Sequence, residues 1–234
     1  MHSKIKPFIE SVRAFIFPKY SEAGGVRSAL ERMEVGDSVA DAFIRRLPEI
    51  ARLVRTDVEA VMQNDPAAAS EEEIILCYPA INVMIHYRSA HELYLLGVPT
   101  IPRMITEKAH SENGIDIHPA ATIGEYFAID HGTGIVVGAT CRIGNHVMLY
   151  QGVTLGARNF HYDEAGRPRD IARHPIIEDN VTIYSNASIL GCITIGHDSV
   201  VGGNVWLTHS VAPHSKVLQG KIVCQGLFED GAGI

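Results

Sequence analysis

The sequence predicts an α+β protein, with an N-terminal α-helical domain followed by a parallel β-helix of six-residue repeats. Two observations lead to this prediction. Through residues 37–62 and 71–96, apolar residues recur at steps of three and four, which is the period of an amphipathic helix. From residue 116 onward the period changes to six, which is typical of hexapeptide repeats, in which three short strands form one coil of a parallel β-helix.

The helical domain is expected over residues 1–112. Ser70 and Glu73 have the spacing of a capping box, so a helix is expected to begin directly after Ser70. Proline lacks the amide proton that a helix interior requires, so Pro48 and Pro79 are expected to kink or interrupt their helices.

The β-helical domain is expected over residues 113–215, with a two-residue slip after Ile135 and an inserted loop over residues 157–173. A long polar loop on a rigid scaffold is more often functional than idle. The aliphatic residues at the six-residue steps are expected to point into the prism, and the glycines that often follow them allow tight corners. These aliphatic residues are Ile117, Ile123, Ile129, Ile135, Ile143, Leu149, Leu155, Ile177, Ile183, Ile189, Ile195, Val201 and Leu207.

The repeats suffice for about four to five coils, and at ~4.8 Å per coil the prism is only ~20 Å tall. The flat faces of so short a prism need partners, which predicts a cyclic trimer. The repeat does not fix the handedness of the coil, although general crossover rules favour a right-handed one.

The bulk composition is that of an ordinary globular protein. Of the 234 residues, 46% are hydrophobic and 20% are charged, and the formal net charge of −7 argues against nucleic acid or an anionic membrane as a partner. We see neither a signal-peptide pattern nor an apolar run near the ~20 residues that span a bilayer. Cys77, Cys141, Cys192 and Cys224 form no CxxC pair, as expected for reduced thiols in a cytoplasmic protein.

Asp130 and His131 directly follow an inward aliphatic residue, Ile129, so at least one of the two side chains should leave the wall of the prism. They are either solvated corner residues or part of a site. Asp116 lies fifteen residues upstream, close to one coil, so Asp116 and His131 can fall on neighbouring rungs near one edge. A neutral histidine backed by a carboxylate is a good general base for a hydroxyl or amine nucleophile.

Arg173 and His174 end the inserted loop. They are either a solvated loop exit or, since arginine offers a planar bidentate fork, a clamp for a carboxylate. The histidine spacings show no tight ligand cluster, so no metal is expected, although a zinc site remains an alternative. The spacings considered are those of His131, His146, His161, His174 and His197.

Three motifs resemble the serine O-acetyltransferase family of cysteine biosynthesis. They are "DIHPAATIGEYFAIDHGTGIVVG", "YQGVTLGA" and "RHPIIEDNVTIYSNASILG", and the resemblance covers most of the chain. It implies a left-handed β-helix and an enzyme that moves acetyl from acetyl-CoA, a co-substrate, to the hydroxyl of L-serine, without a permanently bound cofactor. No Cys or Ser nucleophile stands beside His131 in the sequence, which fits direct transfer.

The resemblance also implies a role for individual residues. His131 is the general base and Asp116 its dyad partner. The residues implied for serine are Asp130, Arg173, His174 and Asp65, with the arginine at the substrate carboxylate. The residues implied for acetyl-CoA are Thr154, Gly156, Ala157, Ser185, Gly202 and Gly203. Lys216 and Lys221 are either ligands of the CoA phosphates or solvated surface lysines.

The family further implies L-cysteine as a feedback inhibitor, assembly as a homotrimer or a dimer of trimers, and binding of O-acetylserine sulfhydrylase through Ile234 at the end of a C-terminal tail, residues 216–234. The chain departs from the family in its long insertion and in "LQGKIVCQG" near the end of the prism. Two alternatives remain open. One is acetylation of another small hydroxyl or amine, such as homoserine or a sugar, and the other is a zinc-dependent trimer similar to a carbonic anhydrase.

Overall fold

The structure, a computed structural model, describes residues 2–20, 25–160, 162–167, 169 and 171–220. The predictions for Lys221 and Ile234 lie outside these ranges. Six helices fill the first half: α1 (His2–Ile16), α2 (Val26–Arg32), α3 (Asp37–Asn64), α4 (Glu71–Cys77), α5 (Pro79–Leu95) and α6 (Ile101–Asn113). None of these described helices combines the length and the apolar character that crossing a membrane requires.

The helix starts follow the local sequence. Ser70 precedes α4, and its Oγ accepts a hydrogen bond from the Glu73 amide at 3.2 Å. The Glu73 carboxylate accepts from the Ala69 amide at 2.9 Å, one residue before the cap, and so ties the preceding backbone to the first turn of α4. Pro79 interrupts the helical run and occupies the first turn of α5, where its missing N–H costs nothing. Pro48 lies inside α3 without ending it.

Short strands fill the second half. They are β1 (Asp116–Ile117), β2 (Thr122–Ile123), β3 (Ala128–Asp130), β4 (Val136–Val137), β5 (Arg142–Ile143), β6 (Met148–Tyr150), β7 (Thr154–Gly156), β8 (Ile176–Ile177), β9 (Thr182–Ile183), β10 (Ser188–Leu190), β11 (Thr194–Ile195), β12 (Val200–Val201), β13 (Trp206–Leu207) and β14 (Lys216–Val217).

The strands form three parallel sheets, which are the faces of a triangular prism. Face A has the order β1-β4-β7-β10-β13, face B the order β11-β8-β5-β2, and face C the order β14-β12-β9-β6-β3. The chain visits A, B and C in turn, so it forms a parallel β-helix of about five coils, as the six-residue period predicts. We name the three edges of this prism the A–B, B–C and C–A corners.

The interior of the prism confirms the predicted aliphatic ladder. All thirteen residues are buried, and the most exposed of them, Ile123, keeps only 7% of its surface accessible. The register corrects one detail of the prediction, because Val137 and not Ile135 pairs with Ile117 on face A. Val137 then pairs with Leu155. The two-residue slip therefore precedes Val137, at the C–A corner that carries His131.

The helices cover the first coil, whose strand edges would otherwise expose unpaired backbone groups. The Arg88 guanidinium donates to Asp57 at 2.6 and 2.7 Å and to the Gly124 carbonyl at 2.8 Å. Asp57 also accepts from the Phe127 amide at 3.2 Å. This buried ion pair therefore joins α3 and α5 to the backbone of the first coil.

Candidate active site at two corners of the β-helix

His131 projects from the C–A corner. Its φ is +56°, in the left-handed region that histidine adopts more readily than most residues. Gly132 and Gly134 beside it also have positive φ, so the two-residue expansion forms a sharp bulge on the prism edge. The His131 side chain is 73% exposed, and its Nε2 lies 3.8 Å from Asp130 Oδ1. The imidazole is thus open to an incoming molecule.

Asp65 approaches this corner from the end of α3. Its carboxylate accepts from the Tyr78 hydroxyl at 2.6 Å and from the Ala67 amide at 2.8 Å. The Tyr78 hydrogen bond lowers the pKa of Asp65, followed by the bond from the Ala67 amide, and the charge of nearby His131 acts in the same direction. The same bond raises the pKa of Tyr78 to about 12. An ionised Asp65 therefore lies near the imidazole of His131, which also has the Asp130 carboxylate beside it.

Two tyrosines at this corner were missed by the sequence analysis. Tyr78 fixes the Asp65 carboxylate, and Tyr150 pairs with Asp130 one rung along face C. Burial raises the pKa of Tyr150, and Tyr184, Asp130 and Asp65 add to the shift. Tyr78 lies outside the three quoted motifs. Tyr150 opens "YQGVTLGA" but was not singled out, because it is an ordinary strand residue.

Asp116 begins β1 on face A, next to the His131 corner. Its amide donates to the Ile135 carbonyl at 2.9 Å, which puts the two predicted partners one rung apart. The Asp116 carboxylate contacts Arg103 of α6 at 3.2 Å. The dyad between Asp116 and His131 stays a prediction.

His174 lies at the A–B corner, where the inserted loop rejoins the prism. Its Nδ1 accepts a hydrogen bond from the Thr140 amide at 3.1 Å, which places the ring proton on Nε2. Burial and, to a smaller extent, the nearby charges of Arg173 and His118 together lower the pKa of His174 to about 4. His174 is therefore a neutral hydrogen-bond donor across the physiological pH range.

A cavity of about 650 Å³ opens at the A–B corner, and Arg173, His174, His118 and Thr140 contribute to its lining. The Arg173 amide donates to the Thr140 hydroxyl at 3.0 Å, and its guanidinium donates to the Ile171 carbonyl at 3.2 Å. This corner offers a guanidinium and a neutral imidazole, both suited to a small anionic group. Thr140 was missed by the sequence analysis, since its role depends on a contact across one coil.

Gly138 fixes where the His174 ring can lie. A Cβ at this position would fall 2.0 Å from Cδ2 and 2.2 Å from Nε2 of the ring, so only glycine permits the packing. We expect Gly138→Ala to lower the free energy of unfolding by about 1–3 kcal/mol, the usual cost of overpacking. The measurement is chemical denaturation followed by circular dichroism. Gly220→Ala is the control, because its Cβ meets no atom within 4 Å and should leave stability unchanged. Equal free energies of unfolding for Gly138→Ala and Gly220→Ala would contradict the close packing of Gly138 against the His174 ring.

The residues predicted for acetyl-CoA fall on different parts of the prism. Ser185, Gly202 and Gly203 lie at the C–A corner, between strands of faces C and A. A Cβ on Gly203 would stand 3.2 Å from the Ser185 carbonyl, so this stretch of the corner has little side-chain bulk. Ser185, Gly202 and Gly203 thus lie at the same corner as His131, further along the prism axis.

The other predicted cofactor residues lie elsewhere. Thr154 and Gly156 lie on face A in β7, and Ala157 follows at the start of the inserted loop. Lys216 lies exposed on face C, in β14 of the last coil. The structure thus does not gather the seven predicted residues into one patch of a single chain.

The two functional corners are also separate within one chain. His131 lies between β3 and β4, whereas Arg173 and His174 lie between β7 and β8, so the width of face A stands between them. Of the six polar residues that were predicted to act together, four lie at or beside the C–A corner and two, Arg173 and His174, lie at the A–B corner.

A coiled prism of six-residue repeats with an exposed imidazole among acids defines a hexapeptide-repeat transferase. The family model described as "Bacterial transferase hexapeptide (six repeats)" matches residues 174–209. The chain is 52% identical over 197 residues to "Serine acetyltransferase, plasmid" of Synechococcus elongatus, a match that covers 84% of this chain and 61% of that protein. This chain therefore spans less than two thirds of that relative. It is 40% identical over 176 residues to the serine acetyltransferase of Bacillus subtilis, covering 74% of this chain and 77% of the relative.

Solved structures agree with these relatives. Serine acetyltransferase isoform 3 of Entamoeba histolytica, in complex with cysteine, matches with a TM-score of 0.79 at 34% identity, over 96% of this chain and 85% of that one. The Neisseria gonorrhoeae enzyme in complex with serine gives 0.72 at 30% identity, over 91% and 82%. A serine acetyltransferase in complex with CoA gives 0.70 at 27% identity, over 92% and 83%. The chain belongs to the serine acetyltransferase family.

Proposed function

We propose that the protein transfers the acetyl group of acetyl-CoA to the hydroxyl of L-serine, giving O-acetyl-L-serine and CoA. The observation that carries this proposal is the cluster at the C–A corner, where Asp65 and Asp130 surround the exposed imidazole of His131. Two carboxylates suit the ammonium group of an amino acid, and the imidazole suits its hydroxyl. Family membership and the solved complexes of relatives with serine and with CoA support the same substrates.

In the proposed reaction, His131 takes the proton from the serine hydroxyl as the oxygen attacks the thioester carbonyl. The new C–O bond forms and the C–S bond breaks. The imidazolium then returns the proton to the departing CoA thiolate, so the transfer needs no acyl-enzyme. Asp116 would orient the His131 imidazole as the dyad partner. For this, the Asp116 carboxylate must give up its ion pair with Arg103 and form a hydrogen bond with His131.

We propose that two copies of the chain complete each active site. Arg173 suits the serine carboxylate and His174 a second hydrogen bond, but both lie across face A from His131. In a cyclic trimer, the C–A corner of one prism can face the A–B corner of the next, which is a closed heterologous contact. Serine would then bind between subunits, held by acids of one copy and by the arginine of the other.

We place acetyl-CoA along the C–A corner, on the track from His131 to Gly203. Successive coils are separated by about 4.8 Å, so the three coil steps give a track of about 14 Å. Low side-chain bulk at Ser185 and Gly203 would let an extended pantetheine arm lie close to the backbone. Thr154, Gly156 and Ala157 would contribute from the facing copy. Lys216 stays a candidate for the CoA phosphates.

The substrate is tested by CoA release from acetyl-CoA with a panel of acceptors, with metal content measured on the same preparation. We expect L-serine to give the highest kcat/KM, with homoserine and sugars far behind. A sugar or homoserine that exceeds serine would overturn the choice of acceptor. Stoichiometric zinc that is needed for CO₂ hydration would favour the carbonic anhydrase alternative.

Shared active sites are tested by mixing two inactive variants, His131→Asn and Arg173→Ala. After unfolding and refolding together, random trimers should contain intact sites at about one quarter of the wild-type number, because each site draws one corner from each copy. Each variant refolded alone is the control and should stay inactive. Mixtures that recover no activity would place the whole site within one chain.

Two further proposals concern regulation. L-cysteine shares the carboxylate and the ammonium group of L-serine, so the same corners would bind it as a feedback inhibitor, as the cysteine complex of the Entamoeba relative supports. We also propose that the C-terminal Ile234 binds O-acetylserine sulfhydrylase, in the mode in which a free carboxylate and an apolar side chain enter a partner's pocket.

A further inference from the structure

The B–C corner carries a column of polar residues in a left-handed backbone conformation. Asn180, Asp198 and His214 have φ between +58° and +59° and occupy successive coils at this corner. The Asp198 amide donates to the Asp179 carbonyl at 3.0 Å, and the His214 amide donates to the His197 carbonyl at 2.9 Å. Asn, Asp and His tolerate this backbone conformation best, so polar side chains accumulate here one above the other.

Two of these side chains, Asp198 and His214, converge on one point with the neighbouring side chain of His197. His197 Nδ1 lies 2.7 Å and His214 Nδ1 3.7 Å from Asp198 Oδ2. One ligand atom from each residue lies within 4.8 Å of those of the other two. The imidazole rings of His197 and His214 meet edge to face, with centroids 4.9 Å apart. The Asn180 amide donates to the second oxygen of Asp198 at 3.0 Å, which holds the carboxylate in place.

We propose that His197, Asp198 and His214 bind a zinc ion that ties the last coil of the prism to the coil before it. The site lies at the B–C corner, away from both corners that carry the acetyl-transfer residues. His214 directly precedes β14, the last strand of face C, so the ion would hold the open end of the sheet. The proposal does not depend on the proposed function.

The donor set selects the class of ion. Two imidazoles and one carboxylate suit zinc and related first-row divalent ions, whereas magnesium and calcium prefer oxygen donors alone. Zinc bonds of about 2.0–2.2 Å in a tetrahedron put the ligand atoms about 3.3 Å apart. His197 Nδ1 and Asp198 Oδ2, now 2.7 Å apart, must therefore separate, and His214 Nδ1, now 3.7 Å from Asp198 Oδ2, must move closer. The side chains can do so, because His197, Asp198 and His214 are 47%, 40% and 71% exposed. A water molecule would complete the tetrahedron.

The surrounding charge favours a cation. Glu178 and Asp179 occupy the preceding coil at this corner, and the Glu178 carboxylate accepts from the His197 amide at 2.8 Å. Together with Asp198 they give the corner three carboxylates. The excess negative charge attracts a divalent cation to this corner.

A second group of similar composition does not carry the same inference. Glu107, His110 and Asp116 also bring ligand atoms within 4.8 Å of one another. The Arg103 guanidinium, however, forms ion pairs with both Glu107 and Asp116. A fixed positive charge within the group opposes a metal ion there.

The test is a zinc titration of the tag-free, full-length protein by calorimetry, in the presence of a weak competing chelator. We expect one zinc ion per chain, and a melting temperature that rises with zinc because the ion binds the folded state. Mutating a residue that only hydrogen-bonds to a metal ligand already lowers metal affinity by about 10–100-fold. Because His197 and His214 would bind zinc directly, His197→Gln and His214→Gln should each lower the zinc affinity by at least this factor.

His209→Gln is the matched control, because His209 is an exposed histidine outside the group and should leave the affinity unchanged. Equal melting temperatures of all variants without zinc would show that each folds normally. Zinc affinity that is the same in wild type, His197→Gln and His214→Gln would overturn the proposal. So would a wild-type protein that takes up no zinc from the chelator.

Discussion

Replacing His131 by asparagine is expected to lower kcat for acetyl transfer to serine by about 10²–10⁴-fold, the usual contribution of a positioned general base. Asparagine tolerates the left-handed backbone of His131, at φ +56°, better than alanine does, so the variant removes the base without straining the bulge. The measurement is initial-rate kinetics of CoA release at saturating serine and acetyl-CoA.

His146→Asn is the matched control for this variant. His146 is another exposed histidine with φ +55°, but it lies at the B–C corner, where it stacks on Tyr126. The control should keep the wild-type kcat. Because the His131 side chain is 73% exposed, His131→Asn should also keep its free energy of unfolding within about 0.5 kcal/mol of wild type. A near wild-type kcat in a folded His131→Asn variant would remove His131 from the proposed chemistry.

Replacing Arg88 by methionine is expected to lower the free energy of unfolding by about 3–5 kcal/mol, the cost of leaving a buried charge without its partner. Asp57 has no exposed surface, and the Arg88 side chain keeps only 3%. The change would also take a hydrogen bond from the Gly124 carbonyl on the first coil. Chemical denaturation at one fixed protein concentration measures the effect, because assembly contributes to apparent stability.

Arg27→Met is the control for a surface pair. Arg27 forms an ion pair with Asp41, and the two side chains are 46% and 48% exposed. Removing it should cost at most about 1 kcal/mol. The double variant Asp57→Leu/Arg88→Met should recover part of the loss, since it no longer buries an unpaired charge. A loss below 1 kcal/mol for Arg88→Met would mean that the pair does not hold the helices on the prism.

Much of the fold could be predicted because its signals are local. The six-residue period places an aliphatic side chain at the same point of every strand, and the predicted residues are buried. Ser70 caps α4 through a contact within four residues. The slip was predicted one turn too late, after Ile135, because Ile135 also continues the six-residue spacing and is itself buried. Periodicity cannot distinguish a corner aliphatic residue from a strand aliphatic residue.

Less of the candidate site could be predicted from residues alone. The position after Ile129 predicts only that Asp130 or His131 leaves the wall, and the structure shows that His131 is the more exposed of the two. The contact between Tyr78 and Asp65 does not, because it depends on how two helices pack. The group of His197, Asp198 and His214 was missed because imidazoles far apart in sequence meet only when one coil closes between them.

The sequence by itself determined the two architectures and the point where one gives way to the other, because the period of apolar residues is a property of neighbouring positions along the chain. The tertiary structure alone decided which corner each polar residue occupies. Corner assignment depends on the summed length of every preceding coil, including the expansion before Val137 and the long insertion before His174. That sum separates His131 from His174 within one chain and brings His197 beside His214.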